Sequence, residues 1–227
     1  MAGQRTWIAI MGCTLACGCA TVSSEVPTGQ VDQGDPNAVP SIAALPTLPR
    51  AQPDPRERVH AAFTQANELF EQRMPVPPAD RSYASLSDWV ERDIAPWIEH
   101  RRDGIDEVRF ELNRELSEPI DTVVRGALVG LLQESTTIEL ERIPPPSELD
   151  QEPDVAAMFR DVIRAQAQPF TNAALHEYRD CANTGYRGDE EQKRWARFCH
   201  KRFDRLQATH GVTPPATPAA NATAAKR

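Results

Sequence analysis

Proline decides where this chain can fold. Seven prolines and few large apolar groups stand between Thr21 and Arg56, too little apolar surface to offset the entropy of ordering. Residues 20–56 therefore read as a disordered tether with polyproline character, about 35 Å from end to end if it behaves as a flexible coil. Residues 210–227 ("HGVTPPATPAANATAAKR") read as a disordered tail, and Asn221-Ala-Thr223 there matches a glycosylation sequon by chance. Folding is left to residues 57–209, enough chain for one domain.

Inside that window the apolar spacing is helical, with no useful run of strand alternation. Val59, Phe63, Ala66 and Phe70 recur at four-three-four spacing. Ser85 with Asp88 has the form of a capping box, and Leu86, Trp89, Val90, Ile94 and Trp97 follow as an apolar stripe. Pro96 lies within that stripe and is expected to kink or divide the helix, because it cannot donate to the carbonyl four residues back. Ile105, Val108, Leu112 and Leu116 resume the pattern. Ser117 is the next expected cap, ahead of a stripe of Ile120, Val124, Ala127, Leu131, Ser135 and Ile138. Gly126 and Gly130 on that helix each cost about 1 kcal/mol relative to Ala, which close approach of a neighbouring helix would offset. After "IPPPSELDQEPD" comes a long helical stretch with Val155, Phe159, Val162, Ile163, Phe170, Ala174, Tyr178 and Cys181, interrupted by Pro169; a last helix carries Trp195, Cys199 and Leu206. The expectation is an all-α domain of about six antiparallel helices, a bundle or short solenoid.

Ala174-x3-Tyr178-x2-Cys181 has the small, aromatic, small spacing of the second helix of a tetratricopeptide (TPR) repeat. Trp195-Ala196 and Cys199 fall where the next repeat's first helix would have its large-small pair and a later core position. With "LSDWVERDIAPW", "RGALVGLL" and "IPPPSEL", the stretch from Ala61 to Leu206 resembles the degenerate TPR-like proteins of Gram-negative envelopes, many of them lipoproteins. The resemblance implies protein-protein scaffolding, with other envelope proteins as partners, and transfers no catalytic residue. No enzymatic role, cofactor or metal is expected.

The N-terminus, "MAGQRTWIAIMGCTLACGCAT", has one Arg, an apolar run from Trp7 to Ala16 and then small residues. That is the layout of an export signal. Gly18-Cys19-Ala20 resembles the lipobox of bacterial lipoproteins, so residues 1–19 read as signal and lipobox, with Cys19 as the lipidated residue and Cys17 as the weaker choice. Acylation at Cys19 removes Cys13 and Cys17 with the signal and leaves Cys181 and Cys199 as one pair. Ala20, where an Asp would favour retention at the inner membrane, points to the outer membrane, with the domain facing the periplasm or the cell surface. An ordinary secreted or periplasmic protein cut near Ala20 is the alternative. The net charge of -8 gives no basic footprint for nucleic acid.

Cys181 and Cys199 admit several readings. A disulfide needs their Cα atoms about 5.5–6 Å apart; a tight hairpin with a helix starting at Asp189 sets them too far apart, so the bond requires an extended loop after Asn183. A zinc site would recruit His176, Cys181, Cys199 and His200, at spacings that fit no usual motif. Free buried thiols are the third possibility. Lys193, Arg194, Arg197, Lys201, Arg202 and Arg205 make the last helix basic, read as a solvated face paired with Glu190 and Glu191. Trp89 and Trp97, two turns apart, read as core. The alternatives to a scaffold are a cryptic periplasmic enzyme or enzyme accessory and a small-ligand binder built around the two tryptophans. An open concave face would favour the scaffold, whereas a closed bundle with both tryptophans buried leaves little room for a groove.

Overall fold

The computed structural model describes residues 38–46, 53–114 and 119–210. The signal, Cys17, Cys19, most of the tether, the Ser117 cap and the tail from Gly211 lie outside them. The described residues are helical, with no strand. Five rods follow one another: α1 (Pro53–Glu71), a compound rod of α2 (Tyr83–Trp89) and α3 (Ala95–Arg114), then α4 (Pro119–Leu140), α5 (Pro153–Gly185) and α6 (Glu190–His210).

Three boundaries differ from the sequence expectation. α1 begins at Pro53, inside the stretch read as tether, because proline's fixed φ suits a first helical turn that needs no donor. Upstream, Ile42–Ala44 form a 3-10 turn, and Ile42 and Leu45 lie against the core. The cap before α2 is Ser82 rather than Ser85: its hydroxyl accepts from the Ser85 amide, while the Glu148 carboxylate accepts from the Tyr83 amide at 3.0 Å. A carboxylate 65 residues away is invisible to local pattern reading. Pro96 does not divide the rod. Val90–Ile94 form a π turn in which Ala95 N–H bonds the Val90 carbonyl, so the register is widened just before the residue that lacks a donor.

α4 is the centre of the domain. Val123, Val124, Ala127, Leu128, Val129, Leu131 and Leu132 are all buried, so this helix is apolar around most of its circumference, as a helix enclosed by others must be. α1 and α3 cover one side and α5 and α6 the other. Phe63 of α1 and Phe198 of α6 each touch both of the clusters they build. A third cluster joins Leu86, Trp89, Ile94 and Trp97 to Leu140, Ile143, Ala167 and Phe170; both tryptophans belong to it.

Gly126 and Gly130 are where α5 approaches α4. A Cβ on Gly126 would stand 2.8 Å from both the Glu177 carbonyl oxygen and Cys181 Cβ, and one on Gly130 would stand 2.7 Å from the Tyr178 ring. A backbone oxygen and a fully buried Cβ between packed helices cannot step aside. Gly126→Ala is therefore expected to destabilise by roughly 2 kcal/mol despite its better helix propensity, measured as a lower urea midpoint at unchanged slope; a stabilised variant would show that the helices are free to separate.

At 33 residues, α5 is about 50 Å long. Thr137 near the end of α4 meets Thr171 across the antiparallel interface, so the first half of α5 runs past the end of α4. There it lies beside the 141–152 connection, with Arg164 3.8 Å from Glu141. This overhang corrects the sequence reading of the α5 stripe: Phe159 and Ile163 pack on the third cluster, but Val155, Met158 and Val162 are 40, 67 and 57% exposed.

Candidate functional site

The last two turns of α4 read "QESTTIE" and are buried together with the apolar turns before them. Gln133, Glu134, Ser135, Thr136, Thr137 and Glu139 are each 7% exposed or less. Three of these side chains are satisfied locally: Ser135 and Thr136 donate to the Leu132 carbonyl and Thr137 to that of Gln133, the back-bonding open to short hydroxyl side chains in helices. The two carboxylates take partners from elsewhere in the chain, Glu134 from two other helices and Glu139 from the connection after α1.

Glu134 is the best matched. Arg202 of α6 grips it as a fork, Nε donating to Oε2 at 2.9 Å and Nη2 lying 2.7 Å from Oε1. The Tyr178 hydroxyl of α5 donates to Oε2 at 2.7 Å. Burial, and then the charge of Glu134, push the Tyr178 phenol well above its usual range, so it stays a donor. One side chain of α4 thus ties both α5 and α6. Glu139 accepts the Met74 amide at 2.8 Å and pairs with Arg73 at 2.8 Å. Glu177 of α5 pairs with Arg109 of α3 at 3.2 Å, with Arg125 of α4 3.9 Å away.

Arg101 of α3 is 1% exposed. Its guanidinium donates to Ser135 Oγ at 2.9 Å and Thr136 Oγ1 at 3.3 Å and lies 5.5 Å from the centre of the Trp97 ring. Burial pushes it down to about 10, against the pull of Glu139, which leaves it cationic at neutral pH. Beside Glu134, a cleft of about 10 Å³ lined by Ile138, Glu141, Leu206 and His210 has room for about one water. Guanidinium groups are poor proton donors near neutrality and this cleft admits no organic substrate, so the chemistry on offer here is helix-to-helix attachment.

Cys181 and Cys199 form a disulfide, with Cα atoms 6.1 Å apart. The extended loop expected from the sequence is absent, and the reason is the end of α5. Past Gly185 the backbone goes on winding through hydrogen bonds from Tyr186 to Ala182, Arg187 to Thr184 and Gly188 to Gly185. Cys181 therefore sits about two turns from the hairpin bend, close to the nine residues that separate Glu190 from Cys199, and the two sulfurs reach the same level. Gly185 allows the close crossing, since a Cβ there would lie 2.7 Å from the Gln192 carbonyl oxygen. Both cysteines are fully buried. His176 and His200 are not with them: each is exposed and stands 3.5 Å from an aspartate one turn on, Asp180 and Asp204. Among the described residues no three metal-ligating side chains come together.

Lys193 and Arg194 pair with Glu190 and Glu191, as expected for a solvated face. Arg202 is the correction on α6. Sequence order places it with that basic face, yet it lies in the core against Glu134. Its position was available in the pattern, since 195, 199, 202 and 206 form one helical stripe; its partner was not. No helix among the described residues is long and apolar enough to cross a membrane. Compared with protein-family models, with curated proteins and with solved structures, the chain matches none.

Proposed function

We propose that this chain is a membrane-anchored envelope protein, lipidated at Cys19, whose helical domain is a protein-protein interaction or scaffold module. One observation carries the proposal: the overhanging half of α5 leaves Val155, Met158 and Val162 open on one stripe, at i, i+3 and i+7, the spacing by which an amphipathic partner is read. Asp161, which borders the stripe, is already paired with Arg164 at 2.8 Å, so the complementary partner is an amphipathic helix of another envelope protein read through its apolar face. The order of packing, each rod on the next and α4 on both α1 and α6, is that of stacked helical hairpins and supports the TPR-like reading. The docking surface, however, is the outer overhang. The enclosure of α4 favours that outer surface over an inner groove, and the burial of Trp89 and Trp97 in the third cluster weighs against the small-ligand reading.

Two measurements test this. Mass analysis of the mature protein is expected to show a diacyl or triacyl addition on Cys19; an unmodified N-terminus beyond Ala20 removes the anchor. A photo-crosslinking residue at Met158 is expected to give one discrete adduct in intact cells, lost on Val162→Glu, whereas the same group at exposed Glu99 gives none. No adduct, or an adduct of twice the protein's own mass, overturns the separate partner.

A further inference from the structure

The connection between α1 and α2 holds Met74-Pro75-Val76-Pro77-Pro78-Ala79. Prolines 75, 77 and 78 have φ fixed near −65°, and a residue that precedes proline is driven into the extended region, which covers Met74, Val76 and Pro77. Every residue from Met74 to Pro78 is thus restricted towards the left-handed extended helix before any tertiary contact is made. Neither helix nor turn is present from Arg73 to Pro78.

Both ends of the segment are held. Glu139 takes the Met74 amide and the Arg73 guanidinium at one end. At the other, Arg81 donates to the Pro145 carbonyl and pairs with Asp150, and its own carbonyl accepts from Ser147 N–H at 2.8 Å. Between the clamps Val76 and Ala79 face outward, while prolines 75, 77 and 78 are half-buried. Val76 is 86% exposed, the highest value among the exposed large apolar residues, and Ala79, three residues on and on the same edge of a three-residue helix, is exposed as well. None of the described hydrogen bonds uses the backbone of Pro75 to Ala79.

We infer that this loop is a recognition element, pre-ordered to be read in the left-handed extended conformation by an aromatic-lined groove of a partner protein. Addition as an extra β-strand is blocked on both edges: prolines 75 and 77 remove the donors of one edge and proline 78 interrupts the other. Recognition in the extended helix needs only side-chain edges, ring faces and carbonyl oxygens, all of which the loop offers, and the ordering cost is met in advance. The inference is independent of the α5 surface and of the lipid anchor.

The test is a photo-crosslinking residue in place of Val76 in the full chain, activated in intact cells, with exposed Glu107 as the control position. Expected is one discrete adduct at 76, reduced about tenfold by Pro77→Ala with Pro78→Ala in a chain that still unfolds cooperatively, its thermal midpoint lowered by a few degrees at most. In envelope fractions, a synthetic peptide of residues 73–80 added before irradiation should suppress formation of the adduct at 76, and the same peptide with Ala at 77 and 78 should not. No adduct at 76, an adduct that survives the double substitution in a folded protein, or equal competition by the two peptides overturns the inference.

Discussion

Glu134→Ala is expected to lower the unfolding free energy by about 3–5 kcal/mol. Removing this carboxylate leaves the Arg202 guanidinium, 8% exposed, as an uncompensated charge in the core and takes the acceptor from the Tyr178 hydroxyl. Most of that loss comes from stranding the partners, and the net worth of the pair is smaller. A double-mutant cycle separates the two: Glu134→Leu together with Arg202→Leu should recover most of the stability lost by Glu134→Leu alone, since a buried ion pair replaced by apolar groups of similar size is often close to neutral. Urea unfolding at a constant slope is the measurement. A single-variant loss below about 1 kcal/mol would place Glu134 in water and refute the buried fork. We take the pair to be kept for helix register, because it fixes α4 against α6 and, through Tyr178, against α5. Loss of sharp side-chain NMR dispersion in the double variant would support that role, and an unchanged spectrum would refute it.

The second large effect belongs to the disulfide. Replacing both Cys181 and Cys199 by alanine should cost about 3 kcal/mol, the loop entropy released in the unfolded chain for a bond spanning 18 residues. Alanine is the suitable replacement, as serine would bury two hydroxyls without assured partners. Since both cysteines are fully buried, reductant should leave the bond intact in the folded protein and cleave it once denaturant is added, read by thiol labelling and mass. Ready labelling without denaturant would show that the α5–α6 hairpin opens locally. Because Cys181 also meets Gly126 of α4, the bond braces the interface that the Glu134 fork closes one helix face away, and the combined loss should fall short of the sum of the two single losses if bond and fork are coupled through that interface.

Much of this fold could be read from spacing alone, and the physical reason is locality. Apolar positions three and four apart, breaks such as "IPPPSELDQEPD" and the glycine pair Gly126 and Gly130 each report on a few neighbouring residues, and they gave an all-helical domain with α4 tightly approached by a neighbour. The same logic failed at Ser85, and at Pro96 it anticipated a disturbance of the helix but not its form. There the outcome turned on Glu148, far along the chain, and on a π turn that costs little where a donor is already missing.

For the candidate sites the division lies in the same place. Composition and order along the chain determined that there is one folded helical region, that its two late cysteines form a candidate pair, and that Met74 to Pro78 must be extended, because proline geometry and helical periodicity act over one or two turns. Only the tertiary structure decided that Arg202 meets Glu134, that Val155 and Val162 lie outside the core, and that two cysteines on a short hairpin come level. Each of those depends on where one helix ends relative to another. α4 stops at Leu140 while α5 starts well beyond it, and α5 winds on past Gly185; such offsets between packed rods are set by contacts among residues far apart in the chain, which no local pattern records.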